Sequence, residues 1–184
     1  MTGFTSIIHT VLVSRFIFET ERLIARQWTL DDAEAAFQLY GDKEVVRFLG
    51  GMQAITTVEK VREYLAKVLE RYATGSMGMW PLIEKSSGEL VGAVLLKPLP
   101  EHTEIEVGWH LARAHWGKGY ATESARRAIE YGFEDLGLQT IYAVVIPENE
   151  RSIAVTRRLG MESLGRTSEY YGLEVELFRI CKER

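Results

Sequence analysis

Between Thr103 and Leu136 the apolar residues change their period across a pair of glycines, and this restricts the fold more than any other feature of the chain. Ile105, Val107, Trp109 and Leu111 alternate with Glu104, Glu106, Gly108 and His110, the pattern of a strand with two unlike faces. From Gly119 onward, Ala121, Ala125, Ala128, Ile129, Phe133 and Leu136 return at helical spacing, and Gly137 fits a C-terminal cap. The two are joined by Trp116-Gly117-Lys118-Gly119-Tyr120-Ala121. Glycines let a backbone turn sharply and approach a ligand with no Cβ in the way. The helix that follows offers unpaired N–H groups and the positive end of its dipole. Such a turn can cradle a pyrophosphate, although the spacing alone fits a plain turn equally well. It is not a nucleoside-triphosphate loop, because no Gly-Lys-Ser/Thr ending is present. It is not a dinucleotide loop either, because Thr122 stands where the third glycine belongs.

The rest of the chain reads as a mixed α/β sequence. Glu21–Trp28 predicts a strand, and Thr29 with Asp32 a capping box that opens a helix ending at Gly41. Phe48-Leu49-Gly50-Gly51 is an apolar, glycine-broken loop. Thr56 with Glu59 predicts a second capping box, followed by Val61, Tyr64, Leu65, Val68, Leu69 and Tyr72 at helical spacing. Met77–Glu84 and Leu90–Leu96 form a hairpin around Ser86-Ser87-Gly88. Thr140–Ile146 predicts a strand buried on both faces, and Glu150–Leu159 a short helix closed by Gly160. Met161–Ser168 and Glu174–Cys181 are two further strands, joined by a turn at Tyr170-Tyr171-Gly172. No linker divides residues 18–184, which read as one domain preceded by an arm or extra strand over residues 1–17. The apolar run Ile7–Val13 within that arm lacks the preceding charge of a signal peptide and is too short to span a bilayer.

Bulk properties exclude several classes. A chain of 184 residues with 46% hydrophobic and 26% charged residues has the balance of a globular protein rather than a disordered one. Its net charge of −4 argues against a nucleic-acid partner, and an acidic site would draw cationic amines. The lone Cys181 excludes an intrachain disulfide and is consistent with a reducing, cytoplasmic setting. The four histidines are not paired at zinc-ligand spacing, so no metal is expected. No membrane association is expected, and a homodimer is open through the terminal strand.

Set together, the segments Glu19–Arg26, Ile105–Leu111, Trp116–Glu123, Tyr131–Leu138 and Pro147–Ser152 with Leu159-Gly160-Met161 resemble the GNAT superfamily of N-acetyltransferases in order and spacing. Within it they resemble the ribosomal-protein N-terminal acetyltransferase (RimJ/RimL-like) branch. The resemblance implies a mostly antiparallel central sheet, splayed between its fourth and fifth strands and flanked by helices. It implies acetyl-coenzyme A as co-substrate, with its pyrophosphate on the N–H groups of Gly117, Lys118, Gly119, Tyr120 and Ala121, beside Trp116 and Thr122. Trp116 departs from the Gln/Arg usual in the wider family, and backbone binding makes that side chain dispensable. Asn149 and Ser152 match the family's Asn-x-x-Ser, which touches the pantetheine arm; Asn149 also suits a plain N-cap. A backbone N–H near Trp109, His110 and Leu111 would hold the thioester oxygen.

The proton-transfer groups are open at this level. Glu106 and Glu104 share a strand face and are alternative bases, though either could be only a solvated carboxylate. Thr156 stands where many relatives carry an acidic tyrosine, so Ser152, Tyr120 or a water is left to protonate the thiolate. Phe48, Trp80 and Tyr170 are the expected wall of the acceptor pocket. Direct transfer to a peptide N-terminus leads; a small amine acceptor such as an amino acid, polyamine or aminoglycoside is the alternative. A non-catalytic acyl-coenzyme A sensor is the third reading.

Overall fold

The structure, a computed structural model, describes residues 15–73 and 75–183. Among the described residues, eight strands form one sheet: β1 Phe16–Glu19, β2 Leu23–Arg26, β3 Gly78–Glu84, β4 Leu90–Pro98, β5 Ile105–Leu111, β6 Thr140–Val145, β7 Glu162–Thr167 and β8 Val175–Cys181. Their spatial order is β1-β2-β3-β4-β5-β6-β8-β7. The helices are α1 Ala33–Tyr40, α2 Lys43–Val46, α3 Val58–Arg71, α4 Tyr120–Glu134 and α5 Glu150–Arg158.

Alternation along the central strands builds two cores, one on each face. Trp80 and Leu82 of β3, with Ile105, Val107 and Leu111 of β5, pack on the face that α4 covers with Ala125, Ala128 and Ile129. Met79 of β3 and Ala93 and Leu95 of β4 turn the other way, beneath Leu39 and Tyr40 of α1 and Val61 and Leu65 of α3. A buried two-pronged ion pair fixes the start of α1 to the sheet. Arg26 of β2 donates from Nη1 and Nη2 to the two oxygens of Asp32, at 2.8 and 2.6 Å. The same carboxylate accepts from the Thr29 N–H at 2.7 Å, as the capping pattern required.

All paired strands are antiparallel except β5 and β6. That pair shares one register position, Glu106 opposite Tyr142, and then parts. This is the splay expected between the fourth and fifth strands. Its strands count as fifth and sixth because β1 precedes β2, the strand expected over Glu21–Trp28. The chain reverses between them at Thr20, whose N–H donates to the Leu23 carbonyl at 2.9 Å.

Three local expectations shift. The cap of α3 is Thr57, whose hydroxyl accepts from the Lys60 N–H at 3.3 Å, one residue beyond the predicted Thr56. Strand β6 is not buried on both faces: Ile141, Ala143 and Val145 are buried, whereas Tyr142 and Val144 are only half-buried. No described helix covers their side, only the small cluster of Leu99, Tyr170 and Val175. Of the arm expected over residues 1–17, Phe16 and Ile17 belong to β1, and the run Ile7–Val13 lies outside the described residues. Among the described residues, no helix is long and apolar enough to cross a membrane.

Candidate active site

The parting of β5 from β6 opens a cleft of about 340 Å³. Its floor follows from strand register. Met79 lies opposite Leu95, and Leu95 opposite Gly108, so these three form one row across β3, β4 and β5. A Cβ on Gly108 would come within 3.0 Å of the Leu95 side chain, so glycine lets the neighbouring strand fill in closely here. The next row along pairs Lys97 with Glu106, and the row on the other side pairs Ala93 with His110.

Glu106 is buried, and its Oε1 accepts from two groups. The Lys97 Nζ lies 2.6 Å away, and the Tyr171 hydroxyl also donates to this oxygen. Lys97 further donates to the Tyr171 hydroxyl at 2.9 Å, closing a triangle. No partner among the described residues occupies Oε2. Burial and the neighbouring Glu106 charge push the Tyr171 phenol far above its ordinary pKa, so it stays a donor. Tyr171 sits at φ 58°, a left-handed conformation a bulky residue adopts at a cost of about 1 kcal/mol or more. Its ring lies against Gly50 so closely that a Cβ there would stand 3.1 Å from Tyr171 Cδ1.

His110 also faces the cleft, with Nδ1 3.3 Å from the Tyr40 hydroxyl. Burial, reinforced by the Lys97 charge, lowers its pKa to about 4, so the imidazole is neutral at physiological pH. On the opposite wall, the Trp109 indole donates to the Ser152 hydroxyl at 3.2 Å. Asn149 caps α5, its Oδ1 accepting from the Ser152 N–H at 3.2 Å. Thr156 is fully buried and donates its hydroxyl to the Ile153 carbonyl at 2.8 Å, so its proton is already committed.

The glycine turn lies beyond the end of β5. Gly117 and Gly119 have φ of 77° and 86°, which explains both glycines. The first backbone bond at this end of α4 runs from the Glu123 N–H to the Gly119 carbonyl, at 3.0 Å. Among the described residues, the N–H groups of Gly117, Lys118, Gly119, Tyr120, Ala121 and Thr122 therefore find no acceptor, and a helix dipole stands behind them. This cradle fits a pyrophosphate.

Side chains hold the turn in place. The Trp116 indole donates to the Leu111 carbonyl at 2.8 Å, tying the turn to the end of β5, and the Arg151 guanidinium lies 4.6 Å above its ring. The side chain expected to be dispensable for backbone binding thus has a contact of its own, which ties the turn to β5. Arg22 donates from Nη1 to the Lys118 carbonyl at 3.0 Å and from Nε to Glu123 at 2.7 Å, and it lies 4.6 Å over the Tyr120 ring. The Tyr120 hydroxyl donates to Glu84. Sequence reading gave Arg22 no role, because its partners lie about a hundred residues on; the only signal was its place in the matching Glu19–Arg26 segment.

The cleft thus gathers Phe48, Glu106, Trp109, His110, Asn149 and Ser152 from the expected set. It does not gather Glu104, which lies near the surface with His102 Nδ1 3.9 Å from its carboxylate. Trp80 points away: period-2 alternation sends Met79 to the cleft and Trp80 to the opposite core, edge-on to Phe18 and Tyr131. Tyr170 is buried in the small cluster against His102, and its neighbour Tyr171 takes the place in the cleft. Among the described residues, no group of His, Cys, Asp and Glu is placed to hold a metal ion.

Comparison with known proteins agrees with this architecture. The family model described as "Acetyltransferase (GNAT) domain" matches residues 22–162. The chain is 32% identical over 169 residues to an uncharacterized N-acetyltransferase p20 of Bacillus licheniformis, covering 89% of this chain and 94% of that protein. It superimposes on a GNAT-family acetyltransferase from Bacillus anthracis with TM-score 0.76 and 26% identity, over 90% of this chain and 98% of that one. RimL, a ribosomal L7/L12 alpha-N-protein acetyltransferase solved with coenzyme A, has the same fold: TM-score 0.75 at 18% identity, covering 91% and 98%.

Proposed function

The chain belongs to the GNAT acetyltransferases, and on that premise we propose that it moves an acetyl group from acetyl-coenzyme A to the terminal amine of a peptide or protein. The observation that carries the reading is a cleft that holds Glu106 near the start of β5, together with the unpaired N–H groups of the glycine turn that follows the far end of the same strand. In this reading Gly117–Thr122 hold the pyrophosphate, and Asn149 and Ser152 border the pantetheine arm. Acetyl-coenzyme A supplies an activated thioester.

The β5 edge that turns toward the splay, at Trp109 and Leu111, has no β6 partner among the described residues and offers its N–H groups to the carbonyl oxygen as charge develops there. The amine nitrogen forms the new C–N bond as the C–S bond breaks. The amine proton passes to Glu106 Oε2, directly or through a water, and the thiolate leaves as the thiol after taking up one proton. The Ser152 hydroxyl accepts from Trp109 and keeps its own proton to donate, so it is the candidate acid. Thr156 is not.

The lining argues for a terminal amine. The cleft holds one carboxylate, and that carboxylate is already engaged by Lys97 and Tyr171. Little assistance is left for stripping a proton from a lysine, neutral about once in a few thousand molecules at pH ~7. A chain-terminal amine with a pKa near ~8 is about a tenth neutral and needs far less.

The test is a thiol-release assay with acetyl-coenzyme A over peptides with free and blocked N-termini, internal lysines, amino acids, spermidine and an aminoglycoside. Turnover should require the free N-terminus. Tight coenzyme binding with no turnover on any amine would instead establish a sensor.

A further inference from the structure

The chain as a whole carries a net charge of −4, yet its cleft is lined by Lys67, Arg71 and Lys97 against one carboxylate, Glu106. Lys97 and Glu106 neutralise each other at 2.6 Å. Lys67 and Arg71 are left. They lie four residues apart on α3, one helical turn, and so project from the same side of the helix. Both are exposed at the cleft's edge, and neither is within ion-pair distance of a carboxylate among the described residues. His110 adds no charge at neutral pH, since its pKa is about 4.

From this we infer that the acceptor is a peptide whose residues just after the N-terminal amine are acidic, their carboxylates meeting Lys67 and Arg71 while the amine reaches Glu106. The inference rests on the acetyl-transfer reading and narrows its substrate class. A polyamine would bring positive charge past two unpaired cations with no carboxylate of its own to meet them. A free amino acid has its carboxylate two bonds from the amine and would bring it to the Lys97–Glu106 pair, not to the exposed rim. A peptide chain advances about 3.3 Å per residue and can place the amine inside with carboxylates at the mouth. Charges at a cleft mouth steer arrival and fix register more than they add raw affinity, and salt screens them.

The experiment compares kcat/KM for peptides with one common first residue and Asp/Glu, Ser or Lys at positions two to four. It uses the full chain in low and high salt and includes spermidine and free amino acids. The acidic peptides should lead the basic ones by about tenfold or more, and the gap should shrink in high salt. The double variant Lys67→Glu with Arg71→Glu should reverse the order while leaving the KM for acetyl-coenzyme A within about twofold. Equal use of acidic and basic peptides, better use of spermidine or a free amino acid, or a preference untouched by charge reversal would each overturn the inference. Better use of spermidine or a free amino acid would also overturn the peptide-acceptor reading; the other two outcomes would leave that reading standing, and acetyl transfer itself fails only if no amine is acetylated. Folding of the double variant is checked by its circular dichroism. If it does not fold, the salt dependence of the unaltered protein still decides, because a preference built on charge cannot persist undiminished in high salt.

Discussion

The cleft and the glycine turn beyond β5 are built on different principles. The glycine turn is a backbone device: six consecutive residues, two of them at positive φ, turn their N–H groups outward at the head of a long helix. The surroundings of Glu106 are a side-chain device. Lys97 comes from β4, Glu106 and His110 from β5, Tyr171 from the β7–β8 turn, and Lys67 and Arg71 from α3. A backbone device tolerates many side chains but no wrong φ. A side-chain device tolerates backbone adjustment but few substitutions. The first suits a donor shared by a whole family, and the second an acceptor that differs among its members.

The strongest test of this contrast is Gly119→Glu. The new side chain would have to adopt φ 86°, and its Cβ would meet Arg22 Nη2 at 3.3 Å, with a negative charge in an anion cradle. Coenzyme binding should fall at least about a hundredfold by calorimetry, with the fold intact by circular dichroism, because both effects act at the turn. Unchanged affinity would show that the turn is only a turn.

Glu106→Gln probes the cleft. It keeps the shape, loses the proton acceptor and weakens the bond to Lys97. Steady-state kinetics should show kcat lowered by roughly a hundredfold and the KM for acetyl-coenzyme A unchanged, the range for one positioned base. A rise in that KM instead would mean the two devices are not separable.

His110 makes the cleft costly to fold at low pH. Its folded pKa of about 4 lies below the ordinary 6.5, so the unfolded chain binds the extra proton between those values. Stability should therefore fall as pH drops from about 6.5 to about 4, by about 3 kcal/mol in all. His110→Gln should flatten that part of the profile in urea titrations at several pH values. A slope shared by both proteins would place its origin elsewhere.

The smallest effect is expected at Thr156→Ala. Its hydroxyl is spent on the Ile153 carbonyl, so turnover should stay within about twofold. A collapse of kcat with the fold intact would return Thr156 to the acid's role.

What the chain alone made legible was local. The alternation of β5, the helical stripe of α4 and the two glycines between them lie within one stretch of sequence, and each acts on its immediate neighbours. That is why the glycine turn and its helix could be read before any contact was known. Lys97 facing Glu106 was within reach in principle, since both follow from strand alternation, but only the register of β4 on β5 makes them partners. Tyr171 reaching Glu106 across 65 positions, and Arg22 reaching Glu123 across 101, depend on how separate elements pack. The choice of Tyr171 over Tyr170 turned on one left-handed residue, and the exclusion of Trp80 on which face of β3 the cleft opens. Sequence fixes a device when its parts are bonded neighbours. Where the parts converge from several elements, only the assembled sheet decides which side chains meet.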